Sequence, residues 1–347
     1  MMTPENPCGL LGIEFVEFTS PDPAWLDALW IAFGFSRVAQ HPTRDIDLYT
    51  QNDIRILVNR QQDSFALDFQ GKHGASACSM GWRFADPQAA FEAAVARGGR
   101  SYDGALGAPT VDAPAIYGIG DSLIYFIGPD QARGRLFEQS FRPHPQARLV
   151  ADKGFLIIDH LTNNVRKGTM ETWARFYREV FGFSEVRYFD IRGAKTGLTS
   201  YALRSPDGSF CIPINEGDES KSQIEEYLRE YHGPGIQHIA FLSEDLLASL
   251  DRMDDNIVET LDIDDEYYAE VFDRVPNVSE DHRRIRDHQV LVDGDEEGYL
   301  LQIFTRNLIG PIFIELIQRK NHLSFGEGNF GALFRSIERD QERRGVL

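Results

Sequence analysis

The chain says nearly the same thing twice. The stretch "GIEFVEFTSPDPAWLDALWIAFGFS" (12–36) and the stretch "LIIDHLTNNVRKGTMETWARFYREVFGFS" (156–184) each read as strand, loop, amphipathic helix and then "FGFS". In the first helix Trp25, Leu26, Leu29, Trp30 and Phe33 fall on one face; in the second, Met170, Trp173, Phe176, Tyr177 and Val180 do. Asp22 and Thr169 are suited to cap the helix starts, and Gly34 and Gly182 to end them. Such self-similarity constrains the fold before any motif does, because each copy must be one supersecondary unit.

A second pair follows. "MGWRFADPQAAFEAAVARGG" (80–99) and "IQHIAFLSEDLLASLDRM" (236–253) each give an apolar strand, a cap and another helix. The halves then close on strands: "DSLIYFIG" (121–128) in the first, "GYLLQIFTR" and "IFIELIQR" in the second. Four strand–helix–strands units are therefore expected, two per half. The boundary is expected in "RPHPQARLVADKG" (142–154), where two prolines and mixed charge break the periodicity, so that the halves run 1–148 and 149–347. A last amphipathic helix carries Phe330, Leu333, Phe334 and Ile337 along one stripe. The acidic stretch 251–268 reads as solvated helix and loop with no chemistry.

Charge excludes some partners. Lys plus Arg number 35 against 54 for Asp plus Glu, a net charge of −19, which repels nucleic-acid phosphates and anionic lipid. No run of about 18 apolar residues is present, the rough minimum for a membrane span. The start of the chain lacks a secretory pattern, and Cys8, Cys78 and Cys211 are odd in number and widely spaced. Those features lead to the expectation of a soluble cytoplasmic protein with reduced thiols.

The chemistry enters at "IFIELIQR", where Glu315 interrupts an apolar run and its charge calls for a partner. Two other polar residues break apolar strands in the second half: His160 in "FLIIDHLTNNV" and His238 in "GIQHIAF". Alternation along a strand places His238 with Ile236 and Ala240, and Glu315 with Phe313 and Ile317. A lone strand histidine is more often a hydrogen-bonded core or edge residue than a ligand. Here the three polar residues stand in equivalent strands of a repeat, and the matching positions of the first half, near Phe15, Gly81 and Tyr125, carry no metal ligand. If the units curve round one centre, two imidazoles and a carboxylate converge as the facial triad used by non-haem iron(II) oxygenases. A divalent cation would then be the partner of Glu315.

Paired units with this triad resemble the vicinal oxygen chelate superfamily. "DHLTNNV", "KSQIEEYL", "GPGIQHIAF", "LLQIFTR", "IFIELIQR" and "GEGNFGALFRSIE" together resemble its 4-hydroxyphenylpyruvate dioxygenase family, specifically over about 154–340 and more architecturally before that. The resemblance implies an α+β fold of four βαβββ modules in two open barrels, the first a structural or oligomerising domain and the second the catalytic one. It implies Fe(2+) held by His160, His238 and Glu315. Ser200, Asn215, Gln223, Gln237 and Gln302 match polar residues near the substrate, with Gln223 and Gln237 orienting it; Phe304, Phe330 and Phe334 match aromatic walls. The implied reaction takes 4-hydroxyphenylpyruvate and O2 to homogentisate and CO2, in tyrosine catabolism, by a homodimer or homotetramer. The helix bearing Phe330 and Phe334 is expected to act as a lid.

Alternatives stay open at this level. The related hydroxymandelate synthase shares the triad, and Pro213 and Asn215 favour the homogentisate-forming reaction. An extradiol catechol dioxygenase would call for an acid–base histidine in the pocket, and a nickel or zinc isomerase for a fourth ligand; no residue offers either. A metal-free binding protein on the same units is the non-enzymatic reading.

Overall fold

The computed structural model describes residues 2–104, 107–192, 196–219, 221–253 and 256–346. Strands β1 (Leu10–Thr19), β2 (Ser36–Gln40), β3 (Ile46–Gln51), β4 (Ile54–Asn59), β5 (Ser76–Phe84), β6 (Ala115–Tyr117), β7 (Leu123–Ile127) and β8 (Arg142–Arg148) form one sheet, in the order β6-β7-β5-β1-β4-β3-β2-β8. Strands β9 (Phe155–Val165), β10 (Ser184–Arg192), β11 (Gly197–Arg204), β12 (Cys211–Gly217), β13 (Gly235–Ser243), β14 (Leu291–Gly294), β15 (Tyr299–Phe304) and β16 (Phe313–Lys320) form the other, ordered β10-β11-β12-β9-β13-β16-β15-β14. Read in reverse, the second order repeats the first apart from two edge strands, β8 in the first sheet and β14 in the second, and each sheet curls into a half-barrel of the expected α+β type. The first half's second module is abbreviated, with a bridge from Ser101 to Ile116 where the other modules have a further strand.

Local sequence sets the helices. Asp22 accepts from Trp25 N at 3.1 Å and Pro23 opens the helix Pro23–Ala32, while Gly34 and Gly182 both sit at φ +83, as the two "FGFS" stops require. Thr169 does not cap as expected: its hydroxyl donates to Arg166 O, and Glu216 of β12 instead accepts from Gly168, Thr169 and Met170 N. That partner is invisible in the local pattern. Trp25, expected on the apolar face, is 37% exposed and its indole N–H reaches Leu308 O in the other half.

The halves join through the repeated phenylalanines. Phe33 and Phe35 pack on Phe241 at 6.2 and 5.5 Å, and reciprocally Phe181 and Phe183 pack on Trp82 at 5.0 and 5.9 Å. Burying rings in both directions fuses the two barrels into a single apolar core. The acidic stretch has more to do than solvation: Asp264 pairs with Arg339 at 2.7 Å and Asp262 with Arg343 at 2.7 Å, holding the last helix, Phe330–Arg343. Among the described residues no helix is long and apolar enough to cross a membrane, and the three cysteines are free and buried.

Candidate metal centre

His160 lies on β9, His238 on β13 and Glu315 on β16, three adjacent strands. Ala240 of β13 pairs with His160 on one side and Glu315 on the other, so the strands bring these side chains to one face. His160 Nε2 stands 3.0 Å and His238 Nε2 3.4 Å from Glu315 Oε2. All three residues are buried, and their donor atoms lie within 4.8 Å of one another.

Two bulges aim the histidines. Ile236 and His238 pair with Asn163 and Thr162, neighbours on β9, so Gln237 is an extra residue in β13. Ile236 therefore faces away from His238, against simple alternation. On the other strand, Ala240 and Phe241 pair with His160 and Ile158, which leaves Asp159 extra. Each extra residue turns back onto the histidine after it. Asp159 Oδ2 lies 2.7 Å from His160 Nδ1, and Gln237 Oε1 lies 3.1 Å from His238 Nδ1. Both partners are acceptors, so both Nδ1 atoms carry the proton and both Nε2 atoms are directed at Glu315. Arg319 grips Asp159 through two bonds of 2.8 Å, completing a shell that the residue pattern alone did not single out. The available signal was an Asp or Gln directly before each histidine.

The electrostatics ask for a cation. Burial alone would push the His160 imidazole down, but the Glu315 charge and the Asp159 and Glu315 acceptors raise it to about 9. Burial likewise opposes ionised Glu315, yet the two histidines hold its carboxyl below its ordinary range. At His238 burial prevails and the pKa is lowered. The cluster thus draws one positive charge to its centre, where a proton on His160 can supply it. A divalent metal ion would supply that charge and use all three donors. Spacings near 3 Å are those of adjacent donors on bonds of ~2.1 Å, and the set leaves three octahedral positions open. The residues fit such an ion.

Beside the triad lies a cavity that is open at its mouth. The polar residues Ser200, Asn215, Gln223 and Gln237 line it, as do Phe304, Phe330 and Phe334. Gln302 does not; it is buried opposite Ile317, with its amide against Gly326 and no hydrogen-bond partner among the described residues. Phe189, Phe313 and Phe325 also line the cavity, though nothing in their surroundings in the chain distinguishes them from core rings. Asn215 Nδ2 is shared between Gln237 Oε1 and Asn164 Oδ1, both at 3.4 Å, while Asn164 Nδ2 has no partner among the described residues. The unused hydrogen-bonding capacity therefore lies behind the wall, at fully buried Asn164.

Known proteins carry the same plan. Residues 4–141 match the family model for hydroxyphenylpyruvate dioxygenase, N-terminal, and residues 157–302 match that of the glyoxalase/bleomycin resistance protein/dioxygenase superfamily. Protein MelA of Shewanella colwelliana is 57% identical, with 100% of both chains covered. A 4-hydroxyphenylpyruvate dioxygenase of Legionella pneumophila is 44% identical over 100% of this chain and 99% of its own. Among solved structures, a triple mutant of 4-hydroxymandelate synthase from Streptomyces coelicolor superposes with a TM-score of 0.79 at 25% identity, covering 95% of this chain and 99% of that one. With similarity of this extent running the length of both halves, the chain belongs to the 4-hydroxyphenylpyruvate dioxygenase family.

Proposed function

We propose that His160, His238 and Glu315 hold iron(II), and that the chain uses it to convert 4-hydroxyphenylpyruvate and O2 to homogentisate and CO2. The observation that carries this reading is the composition of the cavity: no Lys or Arg stands among its described lining residues, while the triad sits at its edge. An α-keto acid entering such a space has its carboxylate neutralised at the metal position and nowhere else along the wall. Bound there, iron(II) supplies open coordination positions for the keto acid and the redox chemistry for dioxygen.

The protein's own residues then bind, orient and shield. Asp159 and Gln237 fix the Nδ1 protons of the two histidines, so the donor set is preorganised. Phe304 and Phe330 flank the substrate ring and Phe334 closes the wall, restricting it to one plane. Ser200, Asn215, Gln223 and Gln237 offer hydrogen bonds to its polar ends, with Gln223 and Gln237 setting the orientation. Buried Gln302 supports the centre from the same face of β15 as Phe304. The last helix keeps water from the reacting atoms.

We assign residues 149–347 to catalysis and residues 1–148 to packing and assembly into a homodimer or homotetramer, working in the cytoplasm. The buried free thiols are compatible with a reducing compartment. The decisive experiment is anaerobic reconstitution with iron(II), then aerobic 4-hydroxyphenylpyruvate, with oxygen uptake and homogentisate measured. Accumulation of 4-hydroxymandelate instead would transfer the chain to the synthase reaction, and failure to bind iron(II) would remove the metal assignment.

A further inference from the structure

The residues Gln223 and Gln237 bracket a single segment. Gln223 opens the helix Gln223–Glu230, Gln237 is the bulge residue of β13, and their amides meet at 3.4 Å. Between them the chain passes through Tyr231 and the turn at Gly233 and Pro234. That turn touches the half of the molecule that carries no metal ligand.

His73 ends the helix Phe65–His73 of the first half and is buried. Its Nδ1 lies 2.7 Å from Tyr231 O, and since a carbonyl only accepts, Nδ1 is the donor. The His73 ring stacks on the Tyr231 ring at 4.6 Å, and Tyr231 stacks on Tyr227 at 5.0 Å. Tyr227 Oη donates to Ile236 O at 2.8 Å, directly before Gln237. Packing leaves this relay little play: a Cβ on Gly235 would lie 2.4 Å from the Tyr231 ring, and one on Gly120 would lie 2.1 Å from Pro234 O.

We propose that the first half positions the substrate-orienting pair Gln223 and Gln237 through this relay, with His73 as the positioning residue. The inference rests on the reading above that these two glutamines face the substrate. It gives the ligand-free half a part in recognition of the keto acid as well as in packing.

His73→Phe keeps the ring and removes the donor; His73→Asn returns an N–H near the same place. Iron content, anaerobic calorimetric titration with 4-hydroxyphenylpyruvate, and KM and kcat by oxygen uptake are to be measured on the full chain. His73→Phe should hold iron as the parent does and keep kcat within about twofold, while Kd and KM rise about fivefold, the scale of one lost hydrogen bond. His73→Asn should recover most of that. Parental Kd and KM in His73→Phe would overturn the proposal, as would a loss of iron or kcat with KM unmoved, which marks a merely structural residue. Should His73→Phe not fold, Tyr227→Phe, which removes only the hydroxyl on Ile236 O, must raise Kd and KM or the proposal fails. Gln237→Ala is the control: if it leaves Kd and KM unchanged, the substrate reading itself falls, whatever His73 does.

Discussion

The two sheets share even their irregularities. In β1 the residues Ile13 and Phe15 pair with Trp82 and Gly81, so Glu14 is extra; in β5 the residues Ala77 and Ser79 pair with Phe18 and Glu17, so Cys78 is extra. Asp159 and Gln237 are the extra residues at the same places in the second sheet. By this register Phe15 and Tyr125 do match His160 and Glu315, but His238 corresponds to Ser79 rather than Gly81, a two-residue shift from the sequence expectation. Glu14 even has an arginine, Arg83 at 2.6 Å, as Asp159 has Arg319. What differs is the filling. Phe15 occupies the first centre, packed against Tyr125 and Phe137 at 6.1 and 5.8 Å, and a Cβ on Gly81 would meet its ring at 2.2 Å. The bulged backbone therefore belongs to the fold, and three side chains make one copy fit to hold a metal ion.

The sharpest way to break that contrast is to delete equivalent residues. His160→Ala, His238→Ala and Glu315→Ala should each abolish turnover and strip the iron, read by metal analysis and oxygen uptake. Phe15→Ala should leave iron stoichiometry intact and instead cost roughly 3–5 kcal/mol of stability, read by denaturant unfolding. Iron loss in Phe15→Ala would mean that the halves are not separable in this way.

The bulge acids come next. Asp159→Asn takes the anion from beside His160 Nδ1 and leaves Arg319 one of its two bonds, so iron affinity should fall about 10–100-fold in competition with a chelator. Glu14→Gln should leave iron affinity alone, because Phe15 has no ring nitrogen to orient.

The triad was legible in the sequence because a carboxylate within "IFIELIQR" and histidines within apolar strands are costly unless something collects them. The residues behind it were not. Asp159 and Gln237 lie one place from the histidines, and period-two alternation assigns them to the opposite face; only pairing between strands far apart in the chain reveals a bulge. Glu216 as a helix cap and Asp262 and Asp264 as anchors for Arg343 and Arg339 are likewise contacts across long separations. Apart from Trp25, the helix faces and glycine stops were readable, because they depend on neighbours within a turn or two.

Substrate orientation gives a smaller and more selective effect. Gln223→Ala should raise KM about fivefold, the scale of one lost hydrogen bond, and lower the homogentisate formed per O2 consumed, with iron content unchanged. An iron-free Gln223→Ala protein would place that residue in the metal shell instead. The first half has no counterpart to this variant, since its centre is filled by a ring.

The smallest predicted effect concerns the helices that close each barrel. In the first half, Arg135–Ser140 brings Phe137 against Phe15 and is tied down by buried Glu14, which accepts from Arg133 N and Gly134 N at 2.7 and 2.6 Å. In the second, Phe330–Arg343 is held partly by pairs open to solvent: Arg343 and Asp262 side chains are 56% and 49% exposed. Such pairs contribute about 0–1 kcal/mol each and weaken with salt. The last helix should therefore loosen where the first does not. Asp264→Asn should speed limited proteolysis within 330–343 about twofold, added salt should reproduce the effect in the parent, and bound 4-hydroxyphenylpyruvate without oxygen should slow it; cleavage near 135–140 should respond to none of these. Equal cleavage of 330–343 with and without bound substrate would show that the helix is a fixed wall rather than a lid.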